Sequence, residues 1–271
     1  MTKSGGSTQQ AKNGIIGSAP SLNISNLGIV SRDYQRKYGN GYRDFSYTLA
    51  DVLKLLDDQV CVAVLFSLFS IIPRKSYDPC FAFRKLKNIN AVFLEEFRDG
   101  KSRKKGRYVI YHRTSKGWVK YEFSQVFGTI TGKPRQEIDD FVRKEMPKRI
   151  LGNCCVLLCG ETNGVKYSKK DKHIHDDYGV RLAIPQNVNI VLNPIHDRMT
   201  RFEMKLKRQF LSENDRWVIS VWNKGKKDRN GNSRDGQGPP WTVFHNGVEK
   251  EVELIPNQLG VEIGILDSRK P

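Results

Sequence analysis

The segment Asn153-Cys154-Cys155-Val156-Leu157-Leu158-Cys159-Gly160-Glu161 constrains the fold of this chain more than any other. A short continuous apolar run of this kind reads as a fully buried strand. The run stops abruptly at a thiol, a glycine and a carboxylate. Sandwich and open-sheet folds place ligand sites at the C-terminal ends of such strands. Cys159 is therefore either a nucleophile presented at a strand end or a core thiol, since free cysteine is among the most buried residue types.

Other apolar runs surround this strand with a mixed set of elements. Thr48-Leu49-Ala50-Asp51 has the spacing of a capping box and opens an amphipathic turn of helix at 52–56. Strands are predicted at Val60–Phe69 and Asn90–Phe97, the second ending in the paired carboxylates Glu95 and Glu96. Arg107–His112 and Trp118–Phe123 flank a five-residue link and read as a β-hairpin. A helix over Gln136–Lys148 precedes the cysteine strand. After it come a strand at Val188–Pro194, a helix at Arg201–Leu211 carrying Phe202, Leu206 and Phe210 at fourfold spacing, and a strand at Arg216–Trp222. Lys224–Pro240 reads as a long exposed loop, followed by a second hairpin about Asn246-Gly247 and a closing strand at Leu259–Leu266. Strands alternate with helices while two hairpins interrupt them, so the fold class is α/β, with mixed sheets layered against helices.

Composition narrows the setting. With 271 residues and 38% hydrophobic content the chain can bury a large core. Its longest apolar stretch, Val60–Ile72, is too short for a helix that crosses a bilayer. No membrane partner is expected. Residues 1–40 open on a Gly/Ser/Gln-rich stretch without an apolar signal-peptide core and read as a disordered or extended segment, leaving residues 41–271 as one domain of cytoplasmic character. Five cysteines without metal-ligand spacing suit reduced thiols.

Lysine plus arginine number 46 against 29 aspartate plus glutamate, a net charge of +17. That balance points toward an acidic partner. The clusters Lys101, Arg103, Lys104, Lys105 and Lys224, Lys226, Lys227, Arg229 are the expected contacts for nucleic acid or a nucleoprotein, the alternative reading being solvated loops.

Glu95, Lys120 and Cys159 stand in that order at or near the ends of successive core elements. Cys159 is followed by Gly160-Glu161, and Ile190-Val191-Leu192-Asn193-Pro194 follows about thirty residues later. The pattern resembles the carbon–nitrogen hydrolase (nitrilase and amidase) superfamily over roughly residues 58–267. The resemblance implies a nitrilase-like α-β-β-α sandwich that assembles into homo- or hetero-oligomers. It also implies a Glu95-Lys120-Cys159 triad acting on a small amide or nitrile without a metal or organic cofactor. In that scheme Glu95 takes the thiol proton, Lys120 stabilises the oxyanion, and Glu95 then serves the leaving amine and the attacking water. Glu161, Asn193 and His196 are expected to contact substrate. Members also occur beside reverse transcriptases in prokaryotic anti-phage systems, a defence setting that the positive charge would suit. Leu94 stands where the family carries proline, Glu96 rivals Glu95, and the interval from carboxylate to lysine is shorter than usual.

Three alternatives compete. A nitrilase-like module without catalysis would bind nucleic acid through the basic loops. Asp197 with Glu203 and Lys205 has the residue types of a metal-dependent nuclease, which needs Glu203 and Lys205 on a strand whereas Phe202, Leu206 and Phe210 favour a helix. His173, His175 and His196 could ligate a metal if brought together, although their lysine-rich flanks suit a polar turn.

Overall fold

The computed structural model describes residues 19–37, 43–74, 78–97, 106–196, 202–236 and 238–270. Its strands, numbered in chain order, form two six-stranded mixed sheets. In the first sheet, β1 (Asn26–Ser31), β2 (Ala63–Phe66) and β3 (Ala91–Glu96) run parallel. The antiparallel hairpin of β4 (Arg107–Thr114) and β5 (Gly117–Phe123) extends this sheet beyond β3, and β14 (Glu262–Asp267) pairs antiparallel with β1 at the opposite edge. The second sheet repeats that plan. Its parallel centre is β7 (Cys154–Val156), β10 (Ile190–Pro194) and β11 (Trp217–Val221). Antiparallel flanks are β6 (Ile150–Leu151) on one side and the hairpin of β12 (Trp241–His245) and β13 (Val248–Lys250) on the other. A separate small ribbon joins β8 (Lys166–Ser168) to β9 (His173–His175).

Side-chain alternation along these strands builds three apolar layers. Ile29, Ala63, Leu65, Ala91, Phe93, Ile110 and Tyr121 from the first sheet meet Cys154, Val156, Ile190, Leu192, Ile219 and Val243 from the second. The opposite parity of the first sheet, including Val30, Val64, Val92 and Leu94, packs under Leu49, Val52, Leu53 and Leu56 of α1 (Leu49–Asp58) and Phe83 of α2 (Cys80–Phe83). On the far side, Cys155, Val191 and Val218 pack with Ile138 of α3 (Arg135–Asp140) and Leu211 of α4 (Phe202–Leu211). The layers are helix, sheet, sheet, helix, as the sequence predicts, because a strand with two apolar faces must be covered twice.

Several boundaries differ from expectation for physical reasons. The N-terminal lead-in drawn over residues 1–40 contains β1, a central strand of the first sheet, so the domain begins before residue 41. Gly28 makes that position possible, since a Cβ there would lie 2.7 Å from Leu56 of α1. The strand predicted over Val60–Phe69 is shorter, because Val60 and Phe69 at its ends adopt φ of 59° and 56°, which no strand accommodates. The helix predicted at Gln136–Lys148 is α-helical only through Asp140, then widens to a π-turn over Phe141–Glu145 and tightens to 3-10 over Met146–Arg149. Pro147 has no N–H to continue an α-helical ladder. Thr48 precedes α1 without the side-chain cap bond that its spacing suggests.

The two parallel centres end at one edge of the sandwich, where polar side chains stitch the sheets together. Ser31 Oγ, at the end of β1, donates to the Trp222 carbonyl just beyond β11 at 2.6 Å. Asn223 accepts from the backbone N–H of Arg32 and from the Ser67 hydroxyl, and donates to the Leu68 carbonyl at 2.7 Å. Ligand sites of parallel sheets form beyond strand C-termini of this kind.

Candidate active site

Strand parity sorts the paired carboxylates that the sequence left unresolved. Ala91, Phe93 and Glu95 face the space between the sheets, whereas Val92, Leu94 and Glu96 face the helical layer. Glu95 is 7% exposed at the strand-end edge. One of its oxygens, Oε2, accepts the Phe69 backbone N–H at 2.6 Å and lies 3.3 Å from Nε2 of His196. Gly106 presses its backbone against the other oxygen: a Cβ there would sit 2.3 Å from Oε1.

Phe69 holds its left-handed backbone because both of its polar groups are engaged. Its N–H meets Glu95 while its carbonyl accepts from the Arg32 guanidinium at 3.0 and 3.3 Å. A bulky residue in this region costs of order 1–3 kcal/mol, and such strain gathers at functional sites. The Phe69 ring packs on His196 at 4.3 Å and on Phe97 at 5.3 Å between centroids. Tyr34 adds a third ring, 6.1 Å from Phe69, and its hydroxyl donates to the His196 carbonyl at 3.1 Å.

Cys159 lies three residues beyond β7 and starts a 3-10 turn through Gly164. Its carbonyl accepts from the Thr162 hydroxyl at 3.1 Å. Gly160 allows the turn to approach another backbone segment, since a Cβ would stand 2.2 Å from the Gly128 carbonyl oxygen. The remaining cysteines are poor nucleophiles. Burial pushes Cys61 and Cys155 up to about 12 and Cys154 well above its ordinary range, while burial and Asp78 push Cys80 up to about 11. Cys159 is only partly buried and packs against the inter-sheet core.

His196 joins the two candidate groups. It follows β10, which lies beside β7; its Nε2 stands 3.3 Å from Glu95 Oε2, and Glu95 and Cys159 are the groups that act on its charge. Burial opposes charge on the imidazole, but the interactions with Cys159 and Glu95 prevail and raise His196 to about 9. Cys159, His196 and Glu95 thus form a thiol–imidazole–carboxylate chain across the ends of β7, β10 and β3. The sequence places His196 near substrate; the sheet order makes it the bridge within the site.

Lys120 stands elsewhere, which corrects the triad implied by the resemblance. Tyr121 points into the inter-sheet core, so its neighbour Lys120 must face outward. There Lys120 Nζ holds Glu96 at 2.9 Å and Glu122 at 3.3 Å, while the Tyr111 hydroxyl donates to Glu96 at 3.0 Å. Buried Arg208 of α4 is a second cation whose charge interacts with Cys159; burial lowers its guanidinium to about 10.

Two residues expected to touch substrate shape the site from within the protein. Glu161 is fully buried, binding Arg149 at 2.6 Å and the N–H groups of Val126 and Leu158 at 2.9 Å each. Burial pushes its carboxyl upward against the pull of Arg149 and those donors. Asn193 donates to the Leu157 carbonyl at 2.6 Å and accepts from Ser220 at 2.9 Å, fixing the segment that leads to Cys159.

The rival metal arrangements are not assembled among the described residues. Among the described residues no cluster of three or more His, Cys, Asp and Glu side chains has metal-binding geometry. Glu203 and Lys205 lie on helix α4, pairing with Lys169 and Glu249, rather than on the strand a nuclease centre needs. Asp197 lies outside the described residues. So does the basic cluster Lys101, Arg103, Lys104 and Lys105. Among the described residues no helix is long and apolar enough to cross a membrane.

No protein-family model matches the sequence, and no curated protein matches it. Among solved structures the chain is similar to XC1258 from Xanthomonas campestris, described as a CN-hydrolase superfamily protein with an arsenic adduct in the active site. The two share 11% identity over 90% of this chain and 91% of that one, with a TM-score of 0.46.

Proposed function

We propose that this protein is a thiol-dependent hydrolase of a carbon–nitrogen bond in an amide or nitrile, with Cys159 as nucleophile, His196 as proton carrier and Glu95 as the group that orients and charges His196. The grouping of Cys159, His196 and Glu95 at the strand ends, with His196 Nε2 3.3 Å from Glu95, carries this reading. The order of Glu95 and Cys159 along a four-layer sandwich supports a place in the carbon–nitrogen hydrolase superfamily, with histidine occupying the role between acid and thiol.

The chemistry for an amide follows from the protonated imidazole. An adjacent cationic histidine favours the thiolate form of a cysteine. The Cys159 sulfur attacks the carbonyl carbon, a C–S bond forms, and the carbonyl π pair moves to oxygen. As that pair returns, the C–N bond breaks and the leaving nitrogen takes the proton from His196. The products are a free amine and a thioester on Cys159. Water then attacks the thioester carbon, neutral His196 accepts a water proton, and the C–S bond breaks to release the acid and restore the thiolate–imidazolium pair. The oxyanion needs a positive neighbour. Arg208 carries the buried charge that can stabilise it, the part the family pattern gives to Lys120.

The test is a panel of amides and nitriles assayed for amine or ammonia release, with intact-protein mass spectrometry after rapid acid quench. A substrate acyl mass on Cys159 that disappears in Cys159→Ala is the expected result. Turnover that survives Cys159→Ala, or the absence of any Cys159-dependent release across the panel, overturns the proposal.

A further inference from the structure

We infer that a single strand of nucleic acid binds across the mouth of the Cys159 site, held there by the basic hairpin at residues 226–234. The inference rests on the hydrolase reading for its chemistry, but its binding geometry is independent of turnover. Lys224–Pro240, expected as a long exposed loop, contains a hairpin tongue. Lys227 and Ser233 pair as an antiparallel bridge, the Arg234 N–H donates to the Lys226 carbonyl at 2.8 Å, and the Asp228 N–H donates to the Asn232 carbonyl at 2.9 Å.

The hairpin's acids are occupied by its own backbone. Asp228 accepts the N–H groups of Asn230 and Asn232 at 2.8 and 2.9 Å, and Asp235 accepts that of Gly225 at 2.7 Å. Over residues 224–236 five lysines and arginines stand against two aspartates. Lys227, Arg229 and Arg234 are exposed. An exposed cluster of cations of this kind is the footprint of a phosphate backbone.

The root of this tongue is at the mouth of the candidate active site. The Lys224 N–H donates to the Arg32 carbonyl, and the Tyr34 N–H donates to the Lys224 carbonyl, both at 2.9 Å. Gln35 donates to the Gly225 carbonyl at 2.9 Å. Gly225, at φ +78°, leaves no room for a side chain beside Asp33. Exposed Lys37 continues the positive rim beyond Gln35. Tyr34 then leads directly to His196 and Phe69, with Phe97 behind them.

Length selects the occupant. Three residues lie between Gly225 and Arg229, a span of at most ~13 Å, and Tyr34 and His196 continue the track toward the thiol. A small anion would occupy one end of this track, whereas an extended polyanion occupies both. Half-buried Tyr34, Phe69 and Phe97 cluster at this mouth, and aromatic side chains are the usual companions of a basic groove that holds single strands.

The experiment measures binding of a fluorescent 20-nucleotide single strand, and the rate at which iodoacetamide alkylates Cys159 with and without it. Tight, salt-sensitive binding that slows Cys159 alkylation at saturation is expected. The double variant Lys227→Glu/Arg229→Glu should weaken binding about tenfold or more and lower the salt slope by at least about 1.4, at about 0.7 per lost phosphate contact. Its alkylation rate without oligonucleotide should match wild type, showing an intact site. Cys159→Ser should bind the strand normally, so a failure of hydrolysis and a failure of this inference are separable. Unchanged affinity in the double variant, unprotected Cys159 at saturation, or equal protection by heparin or by free nucleoside monophosphate overturns it.

Discussion

The charge on His196 has a consequence for stability that can be worked from the geometry. The group is about 73% buried by its side chain, whose exposure is 27%, and its neighbours raise it from 6.5 to about 9. At about 1.4 kcal/mol per pKa unit, that difference corresponds to about 3 kcal/mol of preference for the imidazolium in the folded protein. Because the folded value lies above the unfolded one, the contribution is fully present below pH 6.5 and declines as pH rises through about 9. Urea unfolding at pH 6 and at pH 10 should therefore show wild type losing about 3 kcal/mol more than His196→Asn over the same interval. Subtracting the variant removes the titration of lysines and tyrosines common to both proteins. NMR titration of the imidazole provides the direct reading, and Glu95→Gln or Cys159→Ser should each bring its midpoint down. A midpoint at or below 6.5, or a difference between wild type and His196→Asn that does not change with pH, refutes the thiol–imidazole–carboxylate chain.

Three further outcomes separate site from scaffold. Glu95→Gln should lower the alkylation rate of Cys159 and abolish measurable amide turnover, whereas Lys120→Met should leave alkylation within about threefold and cost roughly 1 kcal/mol in urea unfolding, as a partly exposed ion pair does. Gly160→Ala should disrupt the Cys159 turn, because its new methyl meets the backbone of Gly128 rather than a movable side chain; destabilisation of about 2 kcal/mol or more with slowed alkylation is expected by urea melts and mass spectrometry. Arg149→Met strands the Glu161 carboxylate, 0% exposed, and should cost about 3–5 kcal/mol in urea unfolding at pH 7.

Local pattern carried the layers and the two ends of the candidate chain, but not the connection between them. Cys159 was legible because an apolar run ends at it, and Glu95 because it closes another. Choosing Glu95 over Glu96 needed only a facing partner for Phe93, which tertiary packing supplies. Lys120 could have been excluded by the same parity: Tyr121 and Phe123 share the inward face, leaving Trp118, Lys120 and Glu122 outside. His196 was visible as a polar residue after a strand, yet its bridging position depends on β10 lying beside β7, a long-range pairing that no local signal encodes. β1 escaped because its six residues, interrupted by Gly28, follow a polar segment and show little periodicity of their own. Phe69 escaped for a different reason. Its left-handed backbone is imposed by Arg32 and Glu95, and nothing in the identity of phenylalanine announces it.

The pairing of β1 with β14 couples residues 26–31 to residues 262–267. During synthesis, β1 can dock on β2 early, but its other rim remains unmet until residues 262–267 have left the ribosome. A nascent chain thus exposes an adhesive strand margin until then, and cleavage just after Gly260 would leave that margin open to neighbouring molecules.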